Sequence, residues 1–151
     1  MSDRTLKEQI RDELTAAMKS GDKVELGTLR MLTAAIVVRE KDVLHELTDD
    51  EVREVAAREV KRRTESIEAF RQGGRLDLVE KETAERTILQ AYAPEQLSDP
   101  EVDALIDEAL VATGATSPAE MGKVMAFVMG RAKGKVDGSV VQAKVRERLG
   151  G

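Results

Sequence analysis

The sequence predicts an all-α protein in which an N-terminal four-helix bundle is followed by a small three-helix tail subdomain. Charged residues make up 35% of the 151 residues and aromatic residues only 2%, which is typical of helices packed around a thin aliphatic core. Apolar residues recur at helical spacing, and Ser/Thr-x-x-Glu sequences of the kind that open helices precede several of these stretches. The strand-forming residues and dense turn signals of a β protein are lacking.

The N-terminal bundle is predicted within residues 1–93. Its four helices are predicted over residues 3–20, 23–39, 48–73 and 76–92. Thr48 and Glu51 have the spacing of a capping box, in which each side chain hydrogen-bonds the other residue's backbone N–H, and Gly73-Gly74 ends the same helix. The apolar run at residues 34–38 also fits a short buried strand, but its helical flanks and the lack of a strand partner favour a helix.

The tail subdomain is predicted over residues 94–151, and with the bundle it forms one domain. Pro94 interrupts the helical pattern that precedes it. Ser98–Glu101 and Ser117–Glu120 repeat the capping-box spacing, each with a proline in the first turn, and are predicted to open the fifth and sixth helices. A seventh helix is predicted to begin near Ser139, after a glycine-containing loop.

The charge of the chain changes sign within the tail. Residues 93–120 contain seven acidic residues and no Lys or Arg, whereas residues 121–149 contain seven Lys or Arg and only two acids. Because the chain as a whole has a formal net charge of −5, a local basic stretch adds nothing to its solubility. The basic stretch therefore predicts that an anionic partner binds at one end of the molecule.

The loop from Lys133 to Ser139 has the composition of a phosphate-binding turn. It is not a P-loop, because Met129 stands where the first glycine is required and Val136 where Ser or Thr is required. Its glycines let the backbone turn with N–H groups exposed, and the helix that follows has a partial positive charge at its N-terminus. The alternative is a solvated connection in which Asp137 or Ser139 only caps the next helix. The candidate RNA- or phosphate-binding residues are Lys123, Arg131, Lys133, Gly134, Lys135, Gly138, Ser139 and Lys144.

A second basic run, Lys61-Arg62-Arg63, lies on the third predicted helix. The three side chains point in different directions because successive residues of a helix are rotated by about 100°. Acidic residues on the same helix offer i,i+4 partners, so a solvated helix face is the predicted structure. Arg63 alone falls on the inner face, where it is predicted to pair with an acid of another helix.

The sequence contains no pattern typical of a catalytic or metal site. It has no Cys, its one histidine, His45, has no partner at ligand spacing, and no nucleophile–base motif is present. We therefore predict no catalytic residue, no metal and no cofactor. No apolar run approaches the roughly 20 residues that span a bilayer, and the first residues are acidic where a signal peptide is apolar. The predicted location is the cytoplasm.

Six blocks of sequence occur in order along nearly the whole chain: Leu29–Ile36, Arg58–Arg63, Gly74–Leu78, Tyr92–Ser98, Met121–Met125 and Ala132–Ser139. In content and spacing they resemble the YqeY-like proteins. These are small stand-alone relatives of the C-terminal region of GatB, the B subunit of the glutamine-dependent tRNA amidotransferase. Two positions depart from the family pattern, since Ala93 replaces a larger aliphatic residue and Val136 replaces alanine.

The resemblance implies an all-helical fold with an N-terminal bundle and a small C-terminal tail. It also brings a family label, carbon–nitrogen ligase with glutamine as amido-N-donor. In GatB the corresponding region helps to engage tRNA, whereas transamidation, ATP-dependent activation and glutamine hydrolysis take place elsewhere, so we expect no enzyme activity from this chain alone. The family motif falls on Lys123, Lys133, Gly134, Lys135, Asp137, Gly138 and Ser139.

The function predicted from the residues and the resemblance together is that of a non-catalytic helper. Its tail is expected to bind tRNA, or to associate with an amidotransferase or with aminoacyl-tRNA synthetase components. Contact with RNA would be to backbone and shape, because the few aromatic residues are too far apart to stack bases. No membrane and no DNA partner is expected. The alternative is a protein–protein interaction module unrelated to tRNA amidation.

Overall fold

The computed structural model describes residues 4–132 and 134–150, and every regular element in these residues is helical. The prediction of an all-α protein is confirmed. The chain divides into two compact units, Met1–Pro94 and Glu95–Gly151. The helices are α1 (Leu6–Ser20), α2 (Lys23–Val43), α3 (Asp49–Gln72), α4 (Leu76–Gln90), α5 (Asp99–Thr113), α6 (Met121–Arg131) and α7 (Gly138–Arg148), with one 3₁₀ turn at Pro118–Glu120.

Two of the capping boxes predicted from the sequence are confirmed. At the start of α3, Thr48 Oγ1 accepts from the Glu51 N–H, and Glu51 Oε1 accepts from the Thr48 N–H. Ser98 and Glu101 make the same reciprocal pair before α5. In each box two N–H groups that the helix itself leaves unbonded are satisfied, so both helices begin where the sequence predicts.

The capping box predicted at Ser117 is wrong. Ser117 Oγ caps no N–H group, and the residues after it form a 3₁₀ turn before α6 begins at Met121. The Glu120 carboxylate instead turns back one residue further and accepts from the Thr116 N–H at 3.2 Å, a hydrogen bond that holds the pKa of Glu120 below its usual value. Glu120 therefore closes the turn that precedes α6.

Helix α2 is one turn longer than the sequence predicts. It continues beyond Arg39 to Val43, and residues 34–38 are helical, so the strand alternative is excluded. Glu40 and Lys41 are good helix formers, and none of the residues after Arg39 stops a helix. The helix ends at Leu44, which adopts a left-handed conformation with φ of 61° and caps it through a hydrogen bond from its N–H to the Glu40 carbonyl.

The other predicted boundaries differ from the structure only at helix ends. The sequence predicts a first helix from residue 3, which lies outside the described residues, and α1 begins at Leu6 after its N-cap Thr5. The fourth helix is predicted to reach Tyr92, whereas α4 ends at Gln90. Tyr92 is nevertheless buried, and its N–H donates to the Leu89 carbonyl in the turn that follows α4.

The four helices of the N-terminal unit share one aliphatic core. Helix α2 contacts the other three helices, and the most extensive contact is between α3 and α4. The buried residues of this core are Ile10, Leu29, Leu32, Ile36, Leu47, Val52, Val55, Ala56, Leu89 and Tyr92. Leu29, Leu32 and Val52 are fully buried, which anchors α2 against α3 at the centre of the unit.

A buried ion cluster joins α3 to α4. Arg63 and Glu59 of α3 are each only 5% exposed, and Arg63 Nε donates to Glu85 Oε2 of α4 at 3.1 Å. Arg63 Nε also lies 3.4 Å from Glu82 Oε2, and Arg63 Nη1 lies 3.7 Å from Glu59 Oε1. Arg62 is exposed and meets only the edge of the cluster, at Glu59. The predicted pairing of Arg63 with an acid of another helix is confirmed.

A second polar link joins α1, α2 and the loop that follows α2. Glu40 Oε2 accepts from Lys7 Nζ at 2.7 Å and from the Leu47 N–H at 2.9 Å. These two hydrogen bonds, the one from Lys7 foremost, hold the pKa of Glu40 below its usual value, and the same contact raises the pKa of Lys7. Lys7 also reaches Glu46, whose side chain is exposed.

The lowered pKa of Glu40 means that its ionised form stabilises the fold. This contribution is complete above the ordinary Glu pKa and is lost as the pH falls through the lower folded-state pKa. We expect Glu40→Gln to reduce the free energy of unfolding by about 1 kcal/mol at pH 7 and by much less at pH 3. Urea titrations at the two pH values measure the difference. Glu46→Gln is the matched control, and an equal effect of both variants would contradict this role of Glu40.

The three helices of the C-terminal unit enclose a separate core of small aliphatic side chains. Its buried residues are Val102, Ile106, Ala109, Ala115, Val124, Val128, Val141, Val145 and Leu149. Met121 and Met125 pack against this core, where their flexible side chains fill the space between smaller residues. Helix α6 contacts both α5 and α7, and α5 also contacts α7. With mostly Val and Ala inside, the helices of this unit depend on few large side chains.

Candidate nucleic-acid interface

Three cations of α6 and α7 form ion pairs with acidic residues of α5. The two pairs between α5 and α7 run in the same direction along both helices, four residues apart on each, so these helices are parallel where they meet. The Asp103 hydrogen bond raises the pKa of Lys144 above its usual value. The pairs are Lys144 with Asp103 at 3.0 Å, Arg148 with Asp107, and Arg131 with Glu108.

These pairs give the charge reversal of the sequence a role inside the protein. The acidic helix α5 lies beside the basic α6 and α7, so much of the opposite charge is neutralised within the unit. Two of the predicted RNA-binding residues, Arg131 and Lys144, are thereby engaged. Arg131 also lies over the ring of Phe127, 4.5 Å from its centroid, so this aromatic face is covered by a cation.

The loop between α6 and α7 is held by its own backbone. Gly134 has a left-handed φ of 76°, which glycine adopts without strain, and its carbonyl accepts from Gln96 Nε2 at 2.8 Å. The Lys135 carbonyl accepts from the Leu97 N–H, and the Lys135 N–H donates to the Ala132 carbonyl, both at 2.9 Å. The loop is therefore docked on the segment that precedes α5, and the Lys135 N–H is already used.

The N-terminus of α7 is capped by a carboxylate. Asp137 Oδ1 accepts from the Ser139 N–H at 2.9 Å, which is one of the two capping roles that the sequence leaves open. Gly138 is the first residue of the helix and does not have a positive φ, so it is not needed for the turn. A side-chain Cβ at Gly138 would lie 3.7 Å from Met129 Cε, an ordinary contact. An anion at this helix end would compete with Asp137 for the Ser139 N–H.

Three cations of the unit have no ion-pair partner among the described residues: Lys123, Lys135 and Arg146. Their side chains are all exposed. Lys123 lies in the first turn of α6, where its charge helps to lower the pKa of Glu120, Lys135 lies in the α6–α7 loop, and Arg146 lies near the end of α7. Lys133 lies outside the described residues, so its predicted role stays a prediction. Sequence reasoning missed Arg146, since no motif includes it.

The sequence motifs also failed to identify the acidic residues of α5 that pair with cations of α6 and α7, although the sequence contains a signal for them. Asp103 and Asp107 are four residues apart, and so are Lys144 and Arg148. In helices each pair lies on one face, but only the packing of α5 against α7 shows that the two faces meet.

Other kinds of site find little support in the described residues. Within 4–132 and 134–150, no three His, Asp or Glu side chains converge in a way that would hold a metal ion. No helix in these ranges combines the length and apolar character needed to cross a membrane. His45 is exposed in the loop after α2 and lies 3.4 Å from Glu51, as expected for a surface histidine.

Comparison with known proteins identifies relatives along nearly the whole chain. Residues 7–149 match the family described as "Yqey-like protein". A protein of Pyrenophora tritici-repentis, named "Altered inheritance of mitochondria protein 41, mitochondrial", is 35% identical over 147 residues, which cover 94% of this chain and 80% of the relative. An uncharacterised protein of Schizosaccharomyces pombe is 36% identical over 90 residues, or 60% of this chain and 73% of the relative.

A third relative, from Eremothecium gossypii, has the same name as the Pyrenophora protein. It is 34% identical over 84 residues, which cover 55% of this chain and 46% of the relative. The family match extends across both compact units, and the Pyrenophora protein is similar over most of its own length. The chain belongs to the YqeY-like family.

Proposed function

We propose that this chain is a non-catalytic helper that binds tRNA through its C-terminal unit. The observation that carries the proposal is the surplus of cations left after the ion pairs with α5 are made. Lys123, Lys135 and Arg146 remain exposed and unpaired among the described residues, and residues 121–149 contain only two acids. Such cations bind phosphate by charge alone, without reading the base sequence.

Binding of this kind should be weak and sensitive to salt. The chain has a formal net charge of −5, so most of its surface repels a nucleic acid and only the cationic part of the C-terminal unit attracts it. Base stacking adds little at the C-terminal unit, because Arg131 covers one face of the Phe127 ring. The proposal therefore rests on a few phosphate contacts.

We expect Lys123→Ala/Lys135→Ala to bind total tRNA more weakly and with a shallower salt dependence than the unmodified protein. Each lost phosphate contact should reduce the slope of log K against log salt by about one unit. Titrations at several salt concentrations measure the slope. The matched control is Arg11→Ala/Lys19→Ala, which removes the same charge from exposed positions of α1. An unchanged slope in the first variant, or equal slopes in both variants, would refute the assignment.

The proposed biological setting is tRNA-dependent amidation, in which the chain would accompany an amidotransferase or an aminoacyl-tRNA synthetase. The basis is the relation of the YqeY-like family to the tail of GatB. The proposed compartment is the cytoplasm. Two fungal relatives have names that refer to mitochondria, and tRNA is present in both compartments, so fractionation of cells that express a tagged chain is the direct test.

A further inference from the structure

Helix α2 presents an apolar stripe to solvent beside the face that packs into the core. At the middle of the stripe, Met31 Sδ also accepts a hydrogen bond from Nη2 of the buried Arg63 at 3.2 Å. Val24, Met31 and Val38 are between 41% and 60% exposed and follow one another at intervals of seven residues. Seven residues are nearly two helical turns, so the three side chains lie within about 40° of each other around the helix. Gly27 and Ala34 are also exposed, and each lies three residues after a member of the stripe, at the second apolar position of a heptad repeat. The stripe has the spacing of a helix-packing seam and stays largely open to solvent.

The charges beside this stripe are almost all positive. Within α2, all of which the structure describes, the exposed charged residues are Lys23, Arg30, Lys41 and a single acid, Asp42. No described residue makes an ion pair or side-chain hydrogen bond with the three cations, unlike Arg63 or Lys7. A net acidic protein thus has one apolar helix face flanked by unpaired positive charge.

An open groove lies near the last turn of α2, on a different side of the helix from the stripe. Leu44 is 87% exposed although it is a large apolar residue, and its left-handed φ is strained for any residue with a Cβ. The groove beside it is lined by Val37, Lys41 and His45 together with Lys7, Glu40 and Glu46. Lys7 binds both of these acids. Lys41 is therefore the charge of the groove that pairs with no described residue.

The charges decide between the possible occupants of this surface. A second copy of the chain would place Lys23, Arg30 and Lys41 opposite the same three cations, and like charges across an interface oppose association. An anionic membrane would attract the charges, but a helix that inserts at a membrane surface has Trp, Phe or Leu on its apolar face, whereas this one has valine, methionine and small residues. A helix with an apolar seam and acidic flanks complements both the apolar stripe and the cations.

We propose that the exposed face of α2 from Val24 to Val38 is a docking site for an amphipathic helix of a partner protein with Glu or Asp beside its apolar seam. The proposal goes beyond tRNA binding, because it concerns the N-terminal unit and a protein partner. Val24, Met31 and Val38 pack into the seam of that helix, its side chains enter the space above Gly27 and Ala34, and its acids pair with Lys23, Arg30 and Lys41.

The test uses two synthetic helical peptides of two to three heptads with the same leucine and alanine seam. One has Glu and the other Lys at the positions that flank the seam. Binding of fluorescently labelled peptide to the full chain is measured by anisotropy, and the surface is located by shifts of the α2 amide signals in NMR spectra. We expect the Glu peptide to bind on α2 and the Lys peptide to bind at least about tenfold more weakly, because like charges then face each other.

Three exposed double substitutions locate the contacts. Arg30→Glu/Lys41→Glu should reverse the preference so that the Lys peptide binds better. Val24→Ser/Val38→Ser should weaken the Glu peptide by about tenfold or more through loss of apolar contact. The control Lys123→Glu/Arg146→Glu changes the net charge as much as the first variant but in the C-terminal unit, so peptide binding should be unchanged. Circular dichroism verifies that each variant is folded.

Several results would overturn the proposal: equal binding of both peptides, no binding of the Glu peptide, or a preference that Arg30→Glu/Lys41→Glu leaves intact. Binding to vesicles of anionic phospholipid that Val24→Ser/Val38→Ser abolishes, in the absence of peptide binding, would assign the face to a membrane. Concentration-dependent dimerisation abolished by the same variant would assign it to a second copy. The tRNA titration fails or succeeds separately, because it depends on Lys123 and Lys135 and not on α2.

Discussion

Replacing Arg63 with alanine should reduce the free energy of unfolding by about 3–5 kcal/mol, which is the usual cost of removing one partner from a buried ion pair. The guanidinium lies between Glu59 on its own helix and Glu82 and Glu85 on α4, and it is the only buried cation among the described residues. Without Arg63, the carboxylates that are buried in the folded protein lose the positive charge that compensates them. The expected loss is a large fraction of the stability of a protein of this size.

Because of Glu82, the loss of stability in Arg63→Ala should depend on pH. Burial, and next the charge of Glu85, already raise the pKa of Glu82, while Arg63 opposes the rise. Removing Arg63 should raise this pKa further. A carboxyl whose pKa is higher in the folded than in the unfolded state binds more protons when folded, so stability falls as the pH rises from its unfolded to its folded pKa. The deficit of Arg63→Ala should therefore be larger at pH 8 than at pH 5.

Urea denaturation followed by circular dichroism measures the loss in Arg63→Ala. The matched control is Arg62→Ala, the neighbouring residue on the same helix, whose side chain is 73% exposed and pairs with Glu59 from the outside. That variant should lose no more than about 1 kcal/mol. Adding Glu82→Gln to Arg63→Ala should restore part of the stability, because it removes one of the unpaired carboxylates. Similar losses in Arg62→Ala and Arg63→Ala would mean that the buried cluster does not hold α3 to α4.

The parts of the fold that the sequence predicts correctly are those fixed by local chemistry. The capping boxes at Thr48 and Ser98 need only side chains and backbone within four residues, and both form. The inner face of α3 follows from the 3.6-residue period, and it includes Glu59 and Arg63 although both are charged. Arg63 was recognisable because it falls on the apolar stripe, where an ionised side chain requires a partner.

The parts that sequence reasoning missed depend on contacts between distant residues or on unusual backbone. No propensity marks Leu44 as the end of α2, because a leucine seldom adopts a left-handed φ. The pairing of Lys144 with Asp103 spans 41 residues and requires α5 and α7 to be parallel, which no local pattern states. The role of Asp137 was one of two alternatives, and only the position of its carboxylate relative to the Ser139 N–H decides between them. The candidate interface was thus harder to predict than the fold.

Replacing Ile106 with alanine should unfold the C-terminal unit under conditions where the N-terminal unit stays folded. Ile106 is fully buried in a core made mostly of Val and Ala, and the loss of such a side chain costs about 2–5 kcal/mol. A unit that extends only from Glu95 to Gly151 has little stability to lose, since small domains bury a smaller share of their surface. The N-terminal core contains none of the same residues.

Two spectroscopic signals distinguish the unfolding of the C-terminal unit from that of the N-terminal unit. The chain has no Trp and one tyrosine, Tyr92, which is buried in the N-terminal core, so tyrosine fluorescence reports on that unit while far-UV circular dichroism reports on all helices. In Ile106→Ala we expect an early loss of part of the dichroism and an unchanged fluorescence transition. The control Val111→Ala, at an 86% exposed position of the same helix, should change neither by more than about 0.5 kcal/mol. A simultaneous shift of both signals would mean that the units unfold as one.

If only the C-terminal unit unfolds, the same variant should also lose tRNA binding and keep peptide binding on α2, because the unpaired cations Lys123, Lys135 and Arg146 depend on α5–α7, whereas the α2 face does not.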